Sequence, residues 1–125
     1  MQDKTILFAE DNPMVADIAQ FVLKRLGFTV LYSDRTEPAL RMLADTAKID
    51  LLFTDVLLAD GDIGTDIANA ALEKYPNLPV LFSSGYTNSN IPAELLARSN
   101  IAFLQKPYTA SQLTSAIEQL VPSGA

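Results

Sequence analysis

The chain has 125 residues, is 49% hydrophobic and 19% charged, and carries a net charge of −6, which bounds it to one globular domain spanning 1–125. It has no cysteine and no histidine, so disulfides, thiolate nucleophiles, Ser–His–Asp triads and Cys- or His-bound transition metals are excluded, and any metal must be a hard cation held by oxygens. Nine basic residues scattered through an acidic chain speak against direct nucleic-acid contact. No run approaches the roughly 18 apolar residues of a membrane span and no signal peptide is recognisable, so no membrane association and a cytoplasmic protein are expected.

Ile6-Leu7-Phe8-Ala9 reads as a short buried strand that ends at Glu10-Asp11, and Asn12-Pro13 fits a helix start. Val15, Ile18, Ala19, Val22 and Leu26 then recur at helical spacing up to Gly27. Thr29 to Tyr32 is a second strand, and a second helix is expected from Glu37 to Asp45 with Ala39, Leu40, Leu43 and Ala44 inward. A third strand runs from Ile49 to Thr54 and delivers Asp55, followed by a loop that carries Asp60, Gly61, Asp62 and Gly64. Thr65 to Lys74 is a helix with Ile67, Ala68, Ala71 and Leu72 on one face, and Pro79 to Ser84 is a fourth strand. A loop at Asn88 to Asn90 and a short helix from Pro92 to Arg98 precede a fifth strand, Ile101 to Leu104, which ends at Gln105-Lys106-Pro107. The last helix spans Ser111 to Leu120, with Leu113, Ala116, Ile117 and Leu120 inward and Pro122 ending it.

Five strands thus alternate with five helices. Four of the strands are apolar throughout, as expected when helices cover both faces of a parallel sheet. The predicted class is a doubly wound, flavodoxin-like α/β fold with strand order 2-1-3-4-5, whose sites form outside the carboxyl ends of the strands. At those ends stand Glu10 and Asp11, Asp55, Ser84 and Lys106. Each alone has an ordinary explanation: an acidic helix entry, a solvated strand-end acid, a turn serine, a loop lysine. Together they place three acids where like charges raise each other's pKa unless a cation intervenes, and Mg²⁺ and the Lys106 ammonium are the available remedies.

This pattern resembles the response-regulator receiver domain of two-component signalling over nearly the whole chain, from Thr5 to Leu120. The resemblance is carried by Glu10-Asp11, Asp55, Ser84 and Lys106-Pro107; Asp55-Val56-Leu57-Leu58 with Gly64, and Ser84-Gly85-Tyr86, look most like receivers attached to hybrid sensor histidine kinases. It implies that Asp55 accepts a phosphoryl group from a phosphohistidine on a sensor kinase or histidine phosphotransfer protein, which must supply the histidine this chain lacks. It also implies Mg²⁺ bound by Asp11, Asp55, Glu10 through water, and the backbone carbonyl of Leu57, with Lys106 and Ser84 contacting phosphoryl oxygens. Phe103, three residues before Lys106, matches the aromatic residue that turns inward with the Ser84 hydroxyl; a plain core phenylalanine is the other reading. The surface expected to respond, and to serve a homodimer if one forms, is the fourth helix, fifth strand and fifth helix.

Two positions depart from the family. Ala59 stands where a proline is usual, followed by acidic Asp60-Gly61-Asp62, and apolar Leu57 lies where attacking water would approach. An EF-hand reading of Asp60, Asp62 and Asp66 fails, because Thr65 and Ala71 occupy its glycine and glutamate positions. The competing readings are a small aspartate-nucleophile phosphatase-like enzyme, a degenerate receiver that only binds partners, and a flavodoxin-like cofactor binder. Leu57 in place of a second aspartate, the retained site residues and the lack of a phosphate-cradling loop after the first strand count against each in turn. The preferred reading is therefore a phospho-acceptor rather than an enzyme.

Overall fold

A computed structural model describes residues 3–58, 63–85 and 91–121. The expectations for Ala59 to Asp62, Tyr86 to Asn90 and Pro122 lie outside these residues.

The strands are β1 (Thr5–Ala9), β2 (Thr29–Ser33), β3 (Leu51–Asp55), β4 (Val80–Ser84) and β5 (Ile101–Gln105). They form one sheet in the order β2-β1-β3-β4-β5, every pair parallel. The helices are α1 (Pro13–Arg25), α2 (Thr36–Asp45), α3 (Gly64–Lys74), α4 (Ala93–Leu96) and α5 (Ala110–Leu120). The pleat divides each strand between two cores. Ile6, Phe8, Leu51, Phe53 and Leu81 face α1 and α5, whereas Leu7, Leu52, Val80 and Phe82 face the α2–α3–α4 side. The reversal of strand order at β1 and β3 opens the crevice in which a site is expected.

The strands central to the sheet, β1, β3 and β4, are buried almost throughout, but β2 and β5 are half-buried. Their apolar runs resemble the central ones in sequence; edge position alone distinguishes them. Asn12 caps α1 as expected, its Oδ1 accepting from the Met14 and Val15 amides at 3.0 and 3.3 Å, with Pro13 in the first turn.

The inward face of α1 is rotated relative to the spacing read from sequence. Ala16, Ala19, Val22 and Leu23 are buried, whereas Ile18 is 60% exposed and Val15 only half-buried. The helix carries two apolar stripes, and the one with two alanines lets it lie closer to the sheet. In α2, Ala39 and Leu43 are buried but Leu40 is half-buried and Ala44 exposed, a narrower stripe than expected. Ala116 and Leu120 of α5 are likewise half-buried. Helix α4 is a single turn, shorter than Pro92 to Arg98; the Arg98 amide bonds to the Leu95 carbonyl at 3.1 Å, a tighter i→i−3 closure, as the chain turns into β5. α5 begins one residue before Ser111, where Thr109 and Gln112 form a reciprocal capping box with bonds of 3.0 and 2.9 Å.

Candidate phospho-acceptor site

β1 ends at Ala9, and the next residue, Glu10, is 0% exposed although charged. Its amide donates to the Ser33 carbonyl at 3.0 Å, continuing the β1–β2 ladder, and its Oε2 accepts from the Asn12 amide at 3.1 Å. Asp11 follows, exposed, at the mouth of the turn. Asp55 closes β3 and is buried beside Ser83 in register. The Val56 amide donates to the Ser83 carbonyl at 2.9 Å, and Thr54 Oγ1 donates to the Asp55 carbonyl at 2.9 Å. Gly64 packs against that same carbonyl: a Cβ there would lie 1.9 Å from the Asp55 oxygen. Only a residue without a side chain permits this approach of α3 to the end of β3.

Lys106 reaches back from the end of β5. Its Nζ donates to Asp55 Oδ2 at 2.8 Å and ion-pairs with Glu10 Oε1 at 2.6 Å, off the line of a good hydrogen bond. The backbone is registered as well, since the Lys106 amide donates to the Ser84 carbonyl at 2.9 Å. Burial raises the Glu10 carboxyl above its usual range, the Lys106 ammonium and the Asn12 amide offsetting this only in part. Burial likewise raises Asp55 against the opposing pull of Lys106. Burial lowers Lys106, but its contacts with Asp55 and Glu10 outweigh that and leave it raised, so it stays an ammonium.

Carboxylate oxygens of Glu10, Asp11 and Asp55 lie within 4.8 Å of one another. Three converging hard oxygens, one from each of these carboxylates, fit a small divalent cation such as Mg²⁺. Ser84 is buried at the last position of β4, aligned with Gln105. Leu57 is half-exposed and bridges to Ile63 in an isolated antiparallel pair, which fixes the backbone bearing its carbonyl. Phe103 is half-buried, aligned with Phe82 and packed against the α2–α3–α4 core. The sheet edge thus brings Glu10, Asp11, Asp55 and Lys106 into direct proximity, while Ser84, Leu57 and Phe103 stand on the elements around them.

Two tyrosines at this edge escaped the sequence reading. Tyr32, at the end of β2, donates its hydroxyl to the Glu10 carbonyl at 2.5 Å. Tyr108, just past Lys106, has a buried hydroxyl with no partner among the described residues, and burial followed by Glu10 and Asp55 raises its pKa. Rings of Tyr32, Phe8, Phe53 and Tyr108 form a row beneath the acids, with centroid separations of 5.7, 4.9 and 6.1 Å. The signal for Tyr32 was present: strand order 2-1-3-4-5 seats the end of β2 directly beside Glu10. A cleft of about 440 Å³ lined by Val15, Ile18, Gly85, Lys106, Pro107 and Tyr108 opens beside the site. Exposed Met14, Ile18 and Phe21 continue it as an apolar stripe along α1.

A parallel five-stranded sheet with acids and a lysine gathered at its carboxyl edge defines a receiver-type signalling domain. Comparison with known families agrees: the chain belongs to the response regulator receiver domain family, whose profile matches residues 6–118. Among its curated relatives, the phyllosphere-induced regulator PhyR of Methylorubrum extorquens is 30% identical over 116 residues, covering 91% of this chain and 42% of PhyR. The response regulator receiver protein CpdR of Brucella abortus is 29% identical over 121 residues, covering 94% of this chain and 97% of CpdR. Against the sensor kinase CckA of Brucella abortus the chain spans only 12% of the relative's length. Among solved structures, the receiver domain of the hybrid histidine kinase CckA superposes with a TM-score of 0.75 at 30% identity, covering 93% of this chain and 98% of that one. A response regulator receiver protein from Sinorhizobium medicae gives 0.78 at 31% identity, covering 94% and 93%. No described helix is long and apolar enough to cross a membrane.

Proposed function

We propose that this chain is one receiver unit, acting in the cytoplasm, in which Asp55 takes a phosphoryl group from the phosphohistidine of a sensor kinase or histidine phosphotransfer protein. A carboxylate oxygen of Asp55 forms the new bond to phosphorus as the donor's N–P bond breaks, and the donor imidazole recovers a proton. The observation that carries this reading is the convergence of Glu10, Asp11 and Asp55 within 4.8 Å, with Lys106 Nζ 2.8 Å from the acceptor. Mg²⁺ would be held by Asp11, Asp55, the Leu57 carbonyl and, through water, Glu10, and when bound would neutralise charge on the transferring phosphoryl group. Lys106 pairs with a phosphoryl oxygen and Ser84 donates its hydroxyl to another, while Phe103 follows Ser84 inward. The unit serves as an acceptor rather than an enzyme acting on a separate substrate.

The donor approaches over α1. The cleft beside Lys106 and Gly85 is continuous with exposed Met14, Ile18 and Phe21, so a protein presenting its phosphohistidine to Asp55 covers this apolar stripe as it docks. For the α4–β5–α5 face, no large apolar residue is fully exposed among the described residues, so a homodimer on that face would draw on half-buried side chains such as Leu96 and Leu104 together with polar contacts.

The test is direct. Incubated with Mg²⁺ and acetyl phosphate, the chain gains the mass of one phosphoryl group, and Asp55→Asn gains none. No uptake by the wild type, or uptake by Asp55→Asn, overturns the reading.

A further inference from the structure

We infer that Tyr32 is a positioning residue for the cation site, holding the peptide that carries Asp11 although it touches neither cation nor phosphoryl group. The inference rests on the reading of Glu10, Asp11 and Asp55 as that site. Glu10 is fixed several times over, by complete burial, by its amide bond to the Ser33 carbonyl at 3.0 Å, and by the contacts of its carboxylate with the Asn12 amide at 3.1 Å and Lys106 at 2.6 Å. Asp11 has no such support among the described residues. It is exposed, so among the described residues its placement depends on its backbone.

The peptide linking Glu10 to Asp11 begins at the Glu10 carbonyl, and that oxygen accepts the Tyr32 hydroxyl at 2.5 Å. The ladder from β2 ends with Glu10's amide, so Tyr32 supplies the clamp one step farther on. The hydroxyl is itself well placed, because Tyr32 is aligned with Phe8 in register and its ring packs on Phe8 at 5.7 Å, tilted by 48°. A rigid aromatic lever thus sets the orientation of the Glu10–Asp11 peptide. Outer partners that orient metal ligands in this way typically change metal affinity by about 10–100-fold when removed.

Tyr32→Phe keeps the ring and deletes only the hydroxyl. Mg²⁺ binding is measured by calorimetric titration of wild type, Tyr32→Phe and Asp11→Asn, with urea unfolding in metal-free buffer alongside. The expected result is Mg²⁺ binding to Tyr32→Phe weakened by about tenfold, at the low end of that range. Uptake from acetyl phosphate then needs correspondingly more Mg²⁺ but reaches the wild-type rate at saturation. Wild-type Mg²⁺ affinity in Tyr32→Phe overturns the inference, whatever its urea midpoint. If wild type binds no Mg²⁺, or Asp11→Asn binds it as tightly as wild type, the cation site itself is wrong and the inference falls with it.

Discussion

Between Glu10 and Asp55 lies one ammonium group, 2.6 Å from the first and 2.8 Å from the second. Removing it leaves two buried carboxylates facing each other, and breaking a buried pair from one side typically costs about 3–5 kcal/mol. Lys106→Met is therefore expected to lose stability of that order in metal-free urea unfolding and to recover part of it with Mg²⁺; a variant as stable as wild type without the ion would show the pair to be unimportant. Tyr108 gives a pH signature. Its folded pKa is raised, so below the ordinary tyrosine value of about 10 its contribution is intact, and above it the unfolded chain releases a proton that the folded chain keeps. Stability accordingly falls as pH climbs past 10, as an order-of-magnitude guide, and Tyr108→Phe flattens part of that fall in urea titrations at successive pH values. At neutral pH the same variant is neutral or slightly stabilising, because it removes a buried hydroxyl without a partner among the described residues. Leu57, apolar and half-exposed two residues beyond the acceptor, offers nothing to orient an attacking water. Leu57→Asn is expected to shorten the lifetime of the phosphorylated form severalfold, and an unchanged decay rate would refute this.

At the scale of elements, α3 is docked on the end of β3 through the contact between Gly64 and the Asp55 carbonyl. Gly64→Ala must push the helix away from the acceptor strand. We expect a loss of about 1–3 kcal/mol, the usual range for overpacking, together with slower uptake from acetyl phosphate; a variant that loses neither would show the approach to be slack. The element order was legible from sequence because most strands are apolar runs and most helices have Asn, Gly or Pro at or near an end. Helix faces were less so: α1 presents Met14, Ile18 and Phe21 as well as Ala16, Ala19, Val22 and Leu23, and spacing alone does not choose between the stripes. The carboxylates and Lys106 were legible because charge at the end of a buried strand is conspicuous. Tyr32 and Tyr108 were not, since a strand-end aromatic looks like core until its hydroxyl is seen to point at something.

Across the whole molecule, mechanical firmness is uneven. β1, β3 and β4 are sealed, while β5 is half-buried and α4 is one turn long, so α4 and β5 are among the less firmly held elements of the fold. Phosphorylation at Asp55 should therefore be read out there. Hydrogen exchange before and after treatment with acetyl phosphate is expected to change in α4, β5 and the start of α5 while α2 stays as it was; a change confined to the loops around Asp55 would mean that no switch is transmitted.

The tie from Lys106 to Asp55 also has a bearing on how the protein comes into being. It joins residues 51 apart, and the tie to Glu10 reaches farther still. Every strand pairing is parallel and so also non-local, which makes late assembly the rule for such sheets. A nascent chain that has emerged only as far as β4 already owns all three acids but not the ammonium that reconciles them. In the proposed reading an acceptor site that needs Lys106 is complete only once the fifth strand has docked, and phosphoryl uptake during refolding is expected to appear at that moment.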